Sequence, residues 1–447
     1  MRIVLLSMNY APELTGIGKY SGEMAQGLIE RGHEVTVVCA PPYYPAWSVQ
    51  SPYRAWHYRT ERPHPKLTVL RCPVWVPKRL RGSTRLLHLA SFAITSLPIL
   101  LALVCWRPKV VFTVAPALFC APAAWLAARL AGAKAWLHVQ DFEIDAAFGL
   151  GMLRSGRMHR LASFLERTLL RRFDTVSTIS SRMLRQLATK GKPLHETELL
   201  PNWVDVQSVR PLGAPSPMRA ELGIAASSVV CLCSGTINRK QGLDVVVETA
   251  RLLGGDRRIV FVICGNGEMR GALQASARGL QNVRFLDLRP AEELNALLNM
   301  ADIHLLPQLR GAADLVMPSK LVGMLASGRP IIAAARPGTE IASIVSGCGI
   351  VTEPEDAAGF AQAIAALSDD PARRQRLGSE GRAYAESVLD ARRILDRLHL
   401  RLEALPQARS VVPARAAQAQ RRPRVAAAPV LDIAAGGGAL GARDAST

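Results

Sequence analysis

The chain opens on an apolar run, residues 3–8, and the same figure then recurs along it. A short, largely β-branched run is followed by a loop bearing glycine, then by apolar positions three and four apart. Short apolar runs bounded by turn residues predict buried strands, and the wider spacing predicts one-faced helices. Residues 1–40 read as strand (2–8), loop (9–19), helix (20–31), turn (Gly32, His33) and strand (34–39). A βαβ unit of this length implies parallel strands. Further strands are expected at 67–72, 109–114, 134–139, 174–179 and 196–200. A proline-rich stretch, 207–220, reads as a linker. A second series then begins at Val229, with strands at 229–234, 259–264, 283–286, 303–307, 330–334 and 349–352. The expected architecture is α/β: two Rossmann-like, doubly wound parallel-sheet domains with a cleft between the carboxyl ends of their strands.

Four segments break the pattern. Residues 41–66, rich in Pro, Tyr and Trp, read as a long loop. Exposed Tyr43, Tyr44, Trp47 and Trp56 would form a platform for a sugar or lipid-linked acceptor; packing over the sheet edge fits equally well. Residues 86–106 carry no formal charge and are long enough to span a bilayer. Pro98, His88 and several hydroxyls favour instead one or two helices, partly packed on the sheet and partly dipping into a membrane interface, with a core helix as the plain alternative. Residues 154–173 read as a basic amphipathic helix. Residues 406–447 shift to Ala, Arg, Pro and Gly and are expected to be a disordered basic tail.

The candidate chemistry lies at predicted strand ends. Residues 234–250 run strand end, basic loop (Gly235, Thr236, Arg239, Lys240, Gly242), helix. Such a loop suits a phosphate, because helix N-termini offer free N–H groups and Arg/Lys add full charge. A plain βα turn with solvated cations fits as well. Gly16 and Gly18 form a similar loop after the first strand, and Gly265-Asn266-Gly267 another. Ser319 and Lys320 open a further helix, with Asp314 just before it. His138, Gln140, Asp141, Glu143 and Asp145 cluster past the 134–139 strand, where acid, base or hydroxyl anchor are all open roles, as is a helix cap.

Bulk properties narrow the partners. A net charge of +19 favours anionic ones, while 5% aromatics, without basic-aromatic interleaving, ranks phosphate substrates and membrane above nucleic acid. None of the eight cysteines forms a CxxC pair, so buried thiols in a reducing compartment are expected over zinc or disulfides. Cys231 and Cys233 alternate along one strand and should share a face. The opening apolar run is too short for a signal-peptide core, which points to the first strand of a cytoplasmic protein.

In order along the chain stand Thr15-Gly16-Ile17-Gly18, Gly32-His33-Glu34-Val35, Pro201-Asn202, Gly235 with Lys240 and Gly242, Gly265-Asn266-Gly267, Pro318-Ser319-Lys320 and Ala326-Ser327-Gly328-Arg329-Pro330. With them, residues 1–405 resemble a GT-B glycosyltransferase of family 4, and more narrowly its colanic-acid-type fucosyltransferases. The resemblance implies an acceptor-binding domain (1–206), a nucleotide-sugar-binding domain (207–388) and a closing helix (389–405). It implies retaining, metal-independent transfer from a nucleotide sugar, GDP-fucose, to a polyprenyl-diphosphate-linked glycan, with the enzyme peripheral on the inner face of the cytoplasmic membrane and no cofactor. By resemblance His138 and Asp141 are the catalytic pair. Gly16, Gly18, Arg239, Lys240, Gly265, Asp314, Ser319 and Lys320 bind the donor. Many members carry two glutamates eight positions apart near this helix; here the second falls at Gly323. The remaining alternatives are another GT-B enzyme (a UDP-sugar donor, or an epimerase) and a non-enzymatic basic membrane- or polyanion-binding protein.

Overall fold

In the computed structural model the first sheet is built from β1 (Arg2–Ser7), β2 (Glu34–Cys39), β3 (Arg59–His64), β4 (Leu67–Arg71), β5 (Val110–Ala115), β6 (Lys134–Val139), β7 (Thr175–Thr178) and β8 (Thr197–Leu199). Their order is β3-β4-β2-β1-β5-β6-β7-β8, parallel except for β3 against β4. The second sheet contains β9 (Val229–Ser234), β10 (Ile259–Cys264), β11 (Val283–Leu286), β12 (Ile303–Leu306), β13 (Ile331–Ala334) and β14 (Gly349–Thr352). It is parallel throughout, ordered β11-β10-β9-β12-β13-β14. The structure describes residues 1–77, 82–115, 118–142, 156–312 and 318–405; the side chains of 82–83, 118, 156–159, 240 and 312 are outside it. The described residues, all within 1–405, fall within one compact unit. The expected tail, 406–447, lies outside the described residues.

Strand alternation explains the layering. In β1, Ile3 and Leu5 face one helical layer, and Val4 and Leu6 the other. The first layer holds α1 (Gly16–Glu30) through Tyr20, Met24 and Leu28, together with the return helix Ala391–Glu403 through Leu395, Leu398 and Leu402. The second holds α2 (Gly82–Leu103) and α3 (Ala121–Ala131) through Phe92, Leu100, Ala124 and Ala128. In β9, Cys231 and Cys233 do share a face, packing with Val246, Val247 and Ala250 of the helix Asp244–Leu252. All eight cysteines are free, and seven are buried.

The first lobe corrects one expectation and decides between two others. The stretch read wholly as a loop contains β3, a polar edge strand lying antiparallel on β4. An edge strand has one unpaired side and no need of alternation, so polar Arg59–His64 carries no period-2 signal. Arg71, 3% exposed, pins it with a two-pronged bond to Glu61 at 3.0 and 3.1 Å. The aromatic stretch also turns mostly inward. Tyr43 is buried, edge-on to His88 of α2 at 4.8 Å, with Trp47 beside it; Trp56 alone of the four is largely exposed.

The long apolar segment forms one helix, α2, followed by a turn (Val104–Trp106). Among the described residues it is the helix long and apolar enough to cross a membrane by length and composition. Phe92 and Leu100 pack on the sheet, while Leu87, Ile94 and Leu101 face outward at seven-residue spacing.

Candidate active site

The two lobes meet near the carboxyl ends of their strands. Tyr20, one turn into α1, donates its hydroxyl hydrogen to the Ser319 carbonyl at 3.4 Å. That contact brings the Gly16 loop beside the start of the helix Lys320–Ala326. Across the lobes, Glu340 of the second accepts from the backbone N–H groups of Ser181 and Arg182, at 3.2 and 3.1 Å, where the helix Ser181–Thr189 begins.

In the second lobe the glycines serve close backbone approach. Gly265 (φ +144°) lies so near the β9 loop that a Cβ there would stand 1.8 Å from the Gly235 carbonyl oxygen. Gly267 is equally constrained by the Ile237 carbonyl, at 2.2 Å. Gly235 N–H bonds to the Cys264 carbonyl at 2.9 Å, and Ile237 N–H to that of Asn266 at 2.9 Å. The two loops are thus held side by side at the sheet's carboxyl edge, an approach open only to residues without side chains.

Lys320 lies over this platform. Its Cδ is the nearest atom, at 3.5 Å, to the position a Gly235 side chain would take. Its Nζ donates to Gln241 Oε1 at 2.7 Å. The residue is partly accessible, yet protein surrounds its ammonium, and that desolvation pulls its pKa down; the Cys233 thiol opposes this. Arg239 is exposed on the short turn Arg239–Gln241, which ends at left-handed Gly242. Lys240 shares that turn, but its side chain is outside the description. Asp314 lies outside the described residues. The structure therefore gathers Gly235, Gly265, Gln241, Ser319 and Lys320, with Arg239 at their margin.

In the first lobe the loop glycines differ from one another. Gly16 has φ +61° and open space where its side chain would stand. A Cβ at Gly18 would collide with Glu13, 2.6 Å away. Glu13 is buried and accepts from the N–H groups of Tyr43 and Tyr44 at 3.0 and 2.9 Å, and from Asn9 at 2.9 Å. Burial raises its pKa, against these bonds. Gly18 thus makes room for the acid that ties the aromatic loop to α1.

His138 is turned inward. It is 1% exposed on β6, and its Nδ1 meets Ser177 Oγ at 2.9 Å. The Trp136 indole donates to the same oxygen at 2.8 Å. Burial alone drops the His138 pKa to about 3, so the ring is neutral at pH 7. Asp141, past the strand end, is partly exposed. Glu143 and Asp145 lie outside the described residues.

Sequence reasoning missed Gln241, Glu13 and two orphaned polar atoms. Thr15 Oγ1, at the start of α1, and Asn238 Oδ1, in the β9 loop, are buried without a hydrogen-bond partner among the described residues. Buried polar atoms are normally paired, so an orphan beside a glycine loop marks a place for a ligand. Thr15 directly precedes Gly16, which was the available signal. A cavity of about 530 Å3 lies elsewhere, lined by Arg329, Arg374 and Arg382. Asp302 and Pro330, also lining it, precede β12 and β13, so it opens at the amino ends of those strands.

The chain matches two family models: the glycosyl transferase 4-like domain over residues 15–203, and the glycosyl transferases group 1 model over 228–370. It is 40% identical over 409 residues to the colanic acid biosynthesis glycosyl transferase WcaI of Escherichia coli (strain K12), covering 88% of this chain and 98% of the relative. It is also 32% identical over 178 residues to the D-inositol 3-phosphate glycosyltransferase of Corynebacterium aurimucosum, covering 38% of this chain and 41% of that protein. Solved structures share the fold, among them the following two. Sucrose-phosphate synthase from Thermosynechococcus elongatus has a TM-score of 0.70 at 16% identity, covering 91% of this chain and all of that one. The lipopolysaccharide glycosyltransferase WaaG has a TM-score of 0.64 at 15% identity, covering 90% and 100%. The two sheets, parallel but for β3, are those of a GT-B fold, and the chain belongs to the glycosyl transferase 4-like, group 1 family and is a glycosyltransferase.

Proposed function

We propose that this enzyme transfers a sugar, fucose from GDP-fucose, to a polyprenyl-diphosphate-linked glycan during assembly of a colanic-acid-like exopolysaccharide. The observation that carries the donor half is Lys320 lying over the Gly235–Gly265 platform, with the orphaned Asn238 in the same loop. Breaking the sugar–phosphate bond sends its electron pair to the departing diphosphate. Lys320, Arg239 and Lys240 supply the positive charge this oxygen needs, without a metal or cofactor. Gly16, beside Thr15, admits the donor phosphates from the other lobe. Asp141 anchors the acceptor hydroxyl, and buried His138, held by Ser177, supports the end of the strand that leads to it. The acceptor oxygen bonds the anomeric carbon on the face the diphosphate leaves, its proton passes to the departing phosphate oxygen, and the anomeric configuration is retained. The WcaI relative, similar over nearly its whole length, supports the polymer assignment. HepE of Anabaena, of the same fold at 14% identity and a TM-score of 0.65, was solved with UDP and glucose.

The acceptor half rests on the outer face of the first lobe. Leu87, Ile94 and Leu101 of α2 stand exposed, as do Leu161 and Phe164 on the basic helix Gly156–Arg172. Both helices pack against α3, and Arg172 lies over Trp125 of α3 at 4.7 Å. Apolar side chains with arginines beside them suit the inner, anionic face of a cytoplasmic membrane, where a lipid-linked acceptor resides. The test is incorporation of label from a panel of nucleotide sugars into membranes carrying lipid-linked oligosaccharide, with and without chelator. Label from GDP-fucose alone, unchanged by chelator, is expected. Label from a UDP-sugar instead refutes the donor; loss on chelation that magnesium or manganese restores and zinc does not refutes the metal-free chemistry.

A further inference from the structure

The turn after α1 brings His33 against the return helix. His33 Nε2 stands 2.8 Å from His399 Nδ1, and the rings are inclined at 57°. Glu403 lies four residues beyond His399, so the two share one helix face. One ligand atom from each of His33, His399 and Glu403 lies within 4.8 Å of the others. Their exposure is graded: His33 is buried, His399 partly accessible and Glu403 open to solvent.

We propose that His33, His399 and Glu403 form a binding site for a divalent transition-metal ion of the zinc class, which ties the return helix to the first lobe. The donor set, two imidazoles and a carboxylate, is a familiar one for zinc, with a water completing the tetrahedron. Two nitrogens on a tetrahedral zinc stand about 3.3 Å apart. The histidines therefore need to part by only about 0.5 Å, and exposed Glu403 leaves an entry path. The hydrogen now between the rings moves to His33 Nδ1. The Met1 amino-terminal nitrogen stands 3.2 Å from that atom, and metal binding at such sites releases a proton. Arg31 is the other cation nearby, and it is already bound to Asp396 at 2.7 Å and to the Gly27 carbonyl.

The site is structural and lies away from the chemistry. α1 runs 15 residues from Gly16 to Glu30, about 22 Å at 1.5 Å per residue, and His33 follows its far end. The ion holds what the apolar contacts of Leu395, Leu398 and Leu402 begin: closure of the chain, after the second lobe, back onto the first. This assignment is independent of the donor and acceptor proposed above.

The test uses the untagged full chain, stripped with chelator and dialysed against zinc chloride. One equivalent of zinc per chain is expected, with a raised melting temperature. His399→Ala and Glu403→Gln, both at accessible positions, should weaken binding at least tenfold and abolish that rise. Cobalt(II) should give visible d–d absorption of a nitrogen–oxygen site in the wild type and none in His399→Ala. Zinc uptake equal in the wild type and His399→Ala, no stoichiometric uptake, or a sulfur-to-cobalt charge-transfer band would each overturn the proposal. Melting with zinc reads the site even if transferase activity is absent, so it stands or falls apart from the proposed reaction.

Discussion

Each lobe buries a histidine on a parallel strand against a serine. His138 meets Ser177 at 2.9 Å in the first lobe, and His304 meets Ser327 at 2.9 Å in the second. Both are at most 1% exposed, and burial pulls both pKa values to about 3. They differ in place along the strand. His138 is the penultimate residue of β6, beside a polar cluster, while His304 is the second of β12, inside an apolar run. Nearness to a strand's carboxyl end drew chemistry to the first in the sequence reading, yet its ring is as enclosed as the second. Position in the topology marks where ligands bind; only packing decides whether a side chain there faces the ligand or the core. The second lobe makes its strand-end platform from backbone and lays Lys320 across it.

The largest test of that division is Gly265→Ala. The left-handed φ and a 1.8 Å approach to Gly235 O leave no room for a methyl group. We expect a loss of at least about 3 kcal/mol in stability, together with loss of nucleotide binding. Gly271→Ala, in a helix with open space at its Cβ, is the control and should be neutral or mildly stabilising. Thermal melts with and without GDP separate the two. Equal behaviour would mean the loops are not locked. Next comes Lys320→Ala, expected to lower kcat by roughly 10²–10³, the cost of one lost charge-stabilising donor. The fold should persist by circular dichroism. Near wild-type kcat would transfer the role to Arg239 or Lys240.

His138→Gln tests the other half of the comparison. A buried support that is exchanged should cost stability, on the order of 1–3 kcal/mol, and leave donor affinity within about twofold. The pH dependence is more telling. The native pKa, about 3, lies below the unfolded value near 6.5, so between them the unfolded chain binds more protons. The stability that neutral His138 retains is present above pH 6.5 and is lost as pH falls toward 3. Its slope approaches about 1.4 kcal/mol per pH unit for each such histidine. Glutamine does not titrate, so the variant should lose less stability than wild type between pH 7 and pH 4.5. Parallel curves would mean that His138 titrates freely and is open to the cleft.

The strands were legible because their apolar runs are continuous, as two-sided burial in parallel sheets demands. β10 and β11 occupy the very spans their residues predict, 259–264 and 283–286. β3 was not, because an edge strand holding Arg and Glu lacks both a run and an alternation. Gly265 was legible as a close-approach glycine, but what approaches it is the Gly235 backbone, set by tertiary packing. Glu13 was invisible for the same reason: its partners, the N–H groups of Tyr43 and Tyr44, lie about thirty residues away. Lys320 could be marked as basic and near a helix start. Its bond to Gln241, 79 residues back, required the fold.

The smallest expected effect concerns how the lobes hold each other. Glu340 caps a helix in the opposite lobe by accepting from Ser181 and Arg182, while Arg182 donates in turn to the Gly338 carbonyl. A capping carboxylate removed from an accessible helix start costs about 1 kcal/mol. Because this cap crosses the cleft, the cost falls on the closed arrangement rather than on either lobe. Glu340→Ala should therefore raise KM for the donor several-fold, with each lobe's melting unchanged and kcat nearly so. Glu340→Gln keeps an acceptor oxygen and should recover most of the affinity. If Glu340→Ala lowers kcat as steeply as Lys320→Ala does, lobe closure is part of the chemical step. The division into a supporting first lobe and a gripping second lobe would then give way to a site assembled only when the two meet.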